Sequence, residues 1–279
     1  MKVKVAAAQT NPQIGNLAHN LAQTIAFATQ ASQAGAKLVV FPECSLTGYC
    51  FNSEQEARAH ALTVGDEWTA ALTAAARQSN IYIIVGFAEQ SNGELFNSLL
   101  VAGPEGVVAT YRKTHIPSLG VDNFVSAGNE PFTVIDTPVG KLGLLICYDI
   151  RFPEQARVLS LNGADMLIHS TNLPLTASGQ VDYLLPARAN ENRAFVISSD
   201  RVGVENGFAF LGRSSIFGVN GETLAQANET DETLIYAEID LELARQKQVF
   251  YPASEGKPVD HVNDLMGARR PELYNRLSN

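Results

Sequence analysis

Three short apolar segments of this chain each lead into a reactive side chain. The segment LVVFP precedes Glu43, VVATYR precedes Lys113, and KLGLLI precedes Cys147. Such runs indicate short strands, and the run before Glu43, which lacks polar alternation, is typical of a strand buried on both faces. A carboxylate, an ammonium and a thiol at strand ends can meet at one rim of a sheet. The carboxylate can take the thiol proton and the ammonium can stabilise an oxyanion, so these residues point to attack on an unreactive C–N bond.

The length and composition are those of a soluble globular enzyme. The chain has 279 residues, of which 46% are hydrophobic and 18% are charged, and this length allows one or two domains. The net charge of −9 argues against a nucleic-acid partner, because phosphate binding needs a basic surface. No apolar run approaches the roughly 18 residues of a membrane-spanning helix, and the first residues lack the pattern of a secretory signal. We therefore expect no nucleic-acid or membrane partner and a cytoplasmic location.

The cysteines indicate a reducing compartment. There are three of them, Cys44, Cys50 and Cys147. A small odd number fits free thiols better than a disulfide framework. Their spacing is not that of a zinc site, and no pair of histidines completes one. The sequence therefore predicts neither a metal nor a cofactor.

Helical and strand-like segments alternate along the chain, but hairpins interrupt the alternation. Hairpin turns are predicted at 91–93 and 220–221, where Asn-Gly pairs occur. A purely doubly wound sheet would not contain such hairpins, so two mixed sheets with helices outside are expected. Helices are predicted over 17–34 (capped by Asn16), 66–77, 153–161 and 180–193, the last interrupted by Pro186. We predict one domain over 1–279, in which 252–279 form a C-terminal tail.

Three segments carry a family resemblance. The stretches FPECSLTGY, YRKTHIP and LLICYDIRFPE resemble, in order and spacing, the signature segments of the nitrilase superfamily of carbon–nitrogen hydrolases. The resemblance covers nearly the whole chain. It implies an α/β fold, a four-layer α-β-β-α sandwich of two mixed sheets. It also implies pairing through the helices into a homodimer or a higher homo-oligomer.

The resemblance and the local chemistry assign the same catalytic roles. Cys147, at the junction of a buried strand, a tight turn and a helix, is the expected nucleophile, with Lys113 and the backbone N–H of Tyr148 as an oxyanion hole. Glu43 is the expected general base, because a free thiol is mostly protonated at neutral pH. The structural alternatives are a buried packing cysteine, a capping or salt-bridging glutamate and a solvated lysine.

Asp122 lies where this sequence departs from the family pattern. Many members carry a second glutamate in the loop after the lysine, where it positions the substrate amide and supports the lysine. Here no glutamate stands before Phe124, and Asp122 either substitutes for it with a shorter reach or forms a turn. Both interpretations stay open at this point.

Further residues are assigned to the pocket by the resemblance alone. Besides Tyr148, which follows the cysteine, these are Tyr49, Asn172, Leu173 and Arg188. Ordinary packing is the alternative for each of them.

Two polar residues near the proposed nucleophile have other expected roles. His115, two residues beyond Lys113, could pair with the thiol as in thiol proteases, but a hydrogen-bonding role in the loop is expected instead. Asp149 is expected to be structural.

The resemblance favours amide hydrolysis. Nitrilases proper usually have Trp-Glu after the cysteine, whereas this chain has Tyr148-Asp149, and the run CYDIRFPE is similar to that of amidases of short ω-amide acids. We expect a thiol hydrolase that cleaves a small aliphatic or ω-amide substrate to a carboxylic acid and ammonia through a cysteine thioester. The alternatives are an N-carbamoyl amino acid or amine amidohydrolase, a nitrilase, and a non-catalytic scaffold or binding subunit.

Overall fold

Two six-stranded sheets dominate the computed structural model, which describes residues 1–253 and 261–278. The strands are β1 Lys2–Gln9, β2 Leu38–Val40, β3 Tyr82–Ser91, β4 Glu94–Gly103, β5 Gly106–Arg112, β6 Ile135–Thr137, β7 Gly140–Ile146, β8 Met166–Thr171, β9 Phe195–Asp200, β10 Val204–Glu205, β11 Phe208–Ala209, β12 Ser215–Phe217, β13 Thr223–Gln226, β14 Thr233–Asp240, β15 Gln248–Tyr251 and β16 His261–Asp264. The α-helices are α1 Leu17–Gln33, α2 Glu54–His60, α3 Glu67–Ser79, α4 Pro153–Leu161, α5 Leu185–Asn192 and α6 Leu241–Arg245.

Both large sheets mix parallel and antiparallel pairs. The first has the order β14-β1-β2-β3-β4-β5 and the second has the order β13-β12-β9-β8-β7-β6. Parallel pairing joins β1, β2 and β3 in the first sheet and β7, β8 and β9 in the second. The outer strands of both sheets are antiparallel, as the predicted hairpins require.

Apolar residues on alternate faces of the strands build the layers. In β1, Val3, Val5 and Ala7 belong to a core shared with the second sheet, whereas Ala6 and Ala8 belong to a core shared with α1 and α3. This alternation follows from the two-residue period of a strand. Helices α4 and α5 pack on the outer face of the second sheet. The predicted four-layer α-β-β-α sandwich of mixed sheets is therefore confirmed.

The local predictions mostly match the observed elements. The side chain of Asn16 accepts a hydrogen bond from the backbone N–H of His19 and caps α1. Helix α4 begins and ends as predicted, and Pro186 separates a π-helical turn, Gln180–Leu184, from most of α5. The strand before Glu43 is shorter than the predicted run LVVFP and ends at Val40.

Some elements were not predicted. Helix α2 follows Ser53, whose side chain accepts a hydrogen bond from the N–H of Glu56, a capping pattern that is visible in the sequence. Helix α6 and the β15–β16 hairpin were also missed. Strand β16 lies within the predicted tail 252–279, of which residues 254–260 and 279 lie outside the described residues.

No helix among the described residues is long and apolar enough to cross a membrane.

Candidate active site

Three of the predicted residues meet in a buried ionic cluster. The Lys113 ammonium donates to Glu43 Oε1 at 2.7 Å and to Asp122 Oδ2 at 2.6 Å. Glu43 stands in the turn after β2, Lys113 directly follows β5, and Asp122 lies in a 3-10 turn, Gly120–Asn123. All three side chains are shielded from solvent. Strand ends and one loop thus bring two carboxylates to one cation.

Neutral side chains also donate hydrogen bonds to this cluster. The side-chain amide of Asn97 donates to Glu43 Oε1 at 2.7 Å and to Asp122 Oδ1 at 2.9 Å. The hydroxyl of Tyr49 donates to Asp122 Oδ2 at 2.8 Å. Asp122 is therefore a member of the cluster, although it also lies in a turn. Tyr49 is fully buried.

Sequence reasoning missed Asn97. It stands inside the apolar run of β4, ELFNSLLVAG, and is buried. A polar side chain in a buried strand needs a hydrogen-bonding partner, and this was the available signal.

The cluster keeps its lysine charged and its glutamate basic. Burial opposes the Lys113 charge, but the two carboxylates outweigh it and hold the pKa of Lys113 well above its usual range. Burial raises the pKa of Glu43, although the Lys113 charge opposes this change. Glu43 Oε2 has no hydrogen-bond partner among the described residues. A buried carboxylate oxygen is therefore left to accept a proton.

Cys147 lies at the turn that follows β7. Its φ of 44° is in the left-handed region, and the chain then runs through a 3-10 turn into α4. A non-glycine residue in this region is uncommon and marks a constrained site. The predicted junction of buried strand, tight turn and helix is therefore present, and the side chain of Cys147 is almost completely buried.

The surroundings of Cys147 favour a protonated thiol in the resting protein. Burial and the Glu43 carboxylate raise the pKa of Cys147 above its usual range. The Lys113 charge, the Thr171 hydroxyl and the backbone N–H of Asn172 act in the opposite direction. The charges of Glu43 and Lys113 both act on the pKa of this thiol, and a base is needed to form the thiolate.

Asn172 connects the nucleophile with the base. Its side-chain amide donates to the backbone carbonyl of Glu43 at 2.9 Å, while its backbone N–H approaches the Cys147 thiol. Asn172 Oδ1 is buried and has no hydrogen-bond partner in the described part of the chain. The next residue, Leu173, is buried, and its N–H donates to Asp200 Oδ1 at 3.0 Å.

Asp149 holds the turn that carries the nucleophile. One carboxylate oxygen accepts from the N–H of Ile146 at 2.9 Å and from the hydroxyl of Tyr111 at 2.7 Å. The other lies 2.8 Å from the ring Nδ1 of His115. The His115 ring stacks on Phe152 at a centroid distance of 3.8 Å. Both polar residues thus have the structural roles expected from the sequence.

The side chains of two residues assigned by resemblance make contacts with residues outside the ionic cluster. The Arg188 guanidinium donates to the carbonyl of Ile150 at 3.1 Å and pairs with Glu191 at 3.0 Å, so it attaches α5 to the turn after Cys147. Tyr148 is half-buried, and its ring packs edge-on against Phe152.

Comparison with protein families places the chain in a known group. The family model described as "Carbon-nitrogen hydrolase" matches residues 4–248. The chain belongs to the carbon–nitrogen hydrolase family. It is therefore a hydrolase of carbon–nitrogen bonds other than peptide bonds, and the resemblance to the nitrilase superfamily is confirmed.

Individual relatives span almost the whole chain. A protein named nitrilase from Pyrococcus abyssi is 38% identical over 275 residues, which cover 98% of this chain and 100% of that protein. The human omega-amidase is 31% identical over 249 residues, or 83% of this chain and 88% of the relative. A solved structure of a mutant amidase from Nesterenkonia sp. AN1 aligns with a TM-score of 0.80 at 23% identity and covers 99% of both chains, which shows the same fold.

Proposed function

We propose that this enzyme is a thiol amidase. It cleaves the C–N bond of a small aliphatic or ω-amide substrate to a carboxylic acid and ammonia through a thioester on Cys147. The observation that carries the proposal is the buried cluster of Glu43, Lys113 and Asp122 within electrostatic reach of a thiol in a left-handed turn. This arrangement supplies a base, a cation and a nucleophile in one site that is shielded from water.

The first half of the reaction forms the thioester. Glu43 takes the proton of the Cys147 thiol through its unpartnered Oε2 while the sulfur attacks the carbonyl carbon. Lys113 and the backbone N–H of Tyr148 stabilise the resulting oxyanion. The C–N bond then breaks, and the leaving nitrogen takes the proton from Glu43 and departs as ammonia. The acyl group remains bound to the sulfur.

The second half of the reaction uses the same carboxylate again. Glu43 takes a proton from a water molecule, whose oxygen attacks the thioester carbon. The second oxyanion occupies the same hole. Its collapse breaks the C–S bond, releases the carboxylic acid and returns the proton to Cys147.

We assign Asp122 to the support of Lys113. It contacts the ammonium at 2.6 Å and also binds Asn97 and Tyr49, so it is a second fixed carboxylate partner for the cation. The shorter side chain of aspartate reaches the lysine directly, as the substitution for the family's second glutamate requires.

Amide and nitrile substrates both have support among the relatives. The dipeptide Tyr148-Asp149 and the likeness to an omega-amidase favour an amide, which we take as the substrate class. The relative named nitrilase, with 38% identity, makes a nitrile the second candidate. N-carbamoyl compounds are a third, because the same thiol chemistry cleaves a ureido group.

We further propose a homodimer in the cytoplasm. The apolar side chains of Val158 and Leu161 on α4 and of Tyr183 in the π-helical turn are exposed, which suits pairing through this helical face. The free Cys44, Cys50 and Cys147 suit a reducing compartment. Light scattering after size-exclusion chromatography tests the dimer, and a monomer at micromolar concentration would contradict it.

Release of ammonia tests the proposed function. The panel contains aliphatic amides, ω-amide acids, N-carbamoyl amino acids and nitriles, each incubated with wild type, Cys147→Ala and the control Cys50→Ser. We expect release from amides by wild type and by the control, and none by Cys147→Ala. A preference for nitriles or ureido compounds would select the other candidates. No release from any compound, together with no preferential alkylation of Cys147, would favour a scaffold.

A further inference from the structure

His169 contacts the nucleophile through the backbone. It lies in β8, where it pairs in register with Leu145 of β7 and Ser198 of β9. Its fully buried ring places Nε2 3.0 Å from the carbonyl oxygen of Cys147 and Nδ1 2.9 Å from the hydroxyl of Ser198. Sequence reasoning missed this residue, although a histidine inside a buried strand was the available signal.

The two contacts define one tautomer of the ring. A carbonyl oxygen can only accept, so Nε2 carries the hydrogen and donates to Cys147. The other nitrogen, Nδ1, then accepts from the Ser198 hydroxyl. Burial lowers the pKa of His169 to about 4, so the ring is neutral at physiological pH. A neutral ring with both nitrogens occupied is fixed in orientation.

The carbonyl that His169 binds belongs to the same peptide unit as the N–H of Tyr148. This unit is planar and trans, so its C=O and N–H point in opposite directions, and holding one direction fixes the other. The unit follows a residue with a φ of 44°, a conformation that few non-glycine residues adopt without support. The hydrogen bond from His169 therefore restricts the rotation of a peptide that is strained at this point.

We propose that His169 is a positioning residue of the oxyanion hole. His169 binds the carbonyl of Cys147 and thereby aims the N–H of Tyr148 at the oxyanion. The inference rests on the proposed function. A hydrogen bond to the carbonyl also polarises the peptide, which strengthens its N–H as a donor. His169 itself touches neither the substrate nor the sulfur in this scheme.

Three substitutions at His169 separate the effect of its hydrogen-bond donor from the effect of the ring as a packing group. His169→Gln can place an amide N–H where Nε2 lies, His169→Asn can reach only the position of Nδ1, and His169→Phe keeps a ring without either nitrogen. Loss of one oxyanion-hole donor lowers kcat by about 10²–10³-fold in enzymes, and a misdirected donor should approach the lower bound. We expect kcat to fall by about 30- to 100-fold in the Asn and Phe variants, by less than about 10-fold in Gln, and KM to change by less than about 3-fold.

Two further measurements distinguish positioning from general damage to the fold. Alkylation of Cys147 by iodoacetamide forms no oxyanion, so its rate should change by less than about 3-fold in all variants. An aldehyde analogue of the substrate, which forms a thiohemiacetal with an oxyanion, should bind more weakly in proportion to the loss of kcat. Equal losses in alkylation and turnover would show that the thiol itself has moved and would overturn the proposal.

The remaining outcomes separate this proposal from the proposed function. If wild type hydrolyses amides and the Asn and Phe variants keep their kcat within 2-fold, the positioning role is refuted alone. If wild type hydrolyses no compound of the panel, the proposed function and this inference fall together. Should the His169 variants fail to fold, Ser198→Ala serves instead. It removes the partner that fixes the tautomer and should lower kcat and aldehyde affinity together, with alkylation unchanged, whereas no loss of kcat would count against the proposal.

Discussion

The replacement Lys113→Met tests whether the Lys113 ammonium holds the ionic cluster together. The ammonium contacts Glu43 at 2.7 Å and Asp122 at 2.6 Å, and all three side chains are shielded from solvent. At an effective dielectric constant of about 20, each contact corresponds to roughly 6 kcal/mol of attraction. Much of this offsets the loss of hydration, and removal of one partner from a buried ion pair typically costs about 3–5 kcal/mol. Methionine keeps the unbranched apolar part of the side chain but lacks the ammonium, so the two buried carboxylates lose this cation.

The expected result is a lower melting temperature with a specific dependence on the second carboxylate. For a chain of this size a loss of about 3–5 kcal/mol lowers Tm by roughly 6–20 °C. Asp122→Asn should destabilise wild type, because it removes a partner of Lys113. In the Lys113→Met background the same change should stabilise, because it removes one of two repelling charges. Differential scanning calorimetry of the four proteins measures this reversal of sign.

Acidity provides a second arm of the same test. Without the cation, the buried carboxyl of Glu43 keeps a folded-state pKa raised above its unfolded value by burial. Protonated Glu43 is then the more stable form in the folded protein. The loss of unfolding free energy in Lys113→Met relative to wild type should therefore be smallest below the ordinary glutamate pKa of 4.5 and should grow as pH rises. A loss of stability that is independent of pH would refute the interpretation that ionic contacts hold the cluster together. Additive effects of the two substitutions would refute it as well.

Two further predictions concern the chemistry and the turn. Glu43→Gln should lower kcat by about 10²–10⁴-fold. Because burial raises the pKa of Glu43, kcat/KM of the wild type should begin to fall at a pH above 4.5 as the pH is lowered, which a pH–rate profile measures. A fall that begins only below pH 4.5 would contradict the assignment of Glu43 as the base. Asp149→Asn should lower the unfolding free energy by about 1–3 kcal/mol per donor left unpaired, measured by urea denaturation, and a loss below 0.5 kcal/mol would argue against its role in the turn.

The sequence alone determined the parts of this protein that depend on neighbouring residues. Strands β1 and β14 and helix α4 follow from apolar periodicity and from cap and turn residues, which act within a few positions. The three segments that end at Glu43, Lys113 and Cys147 also indicated the family and the reactive groups. Such signals are local, and for this reason they can be read along the chain.

Only the tertiary structure decided which side chains meet. Asp122 could have been a turn former, but β5 and the loop place it 2.6 Å from Lys113. Asn97 and His169 contact residues that are distant in the sequence, 54 positions away for Asn97 and Glu43 and 22 for His169 and Cys147. Arg188, which the resemblance assigned to the pocket, attaches α5 to the turn after Cys147. Strand order and register determine these distances, and both depend on the packing of the whole chain rather than on any single segment.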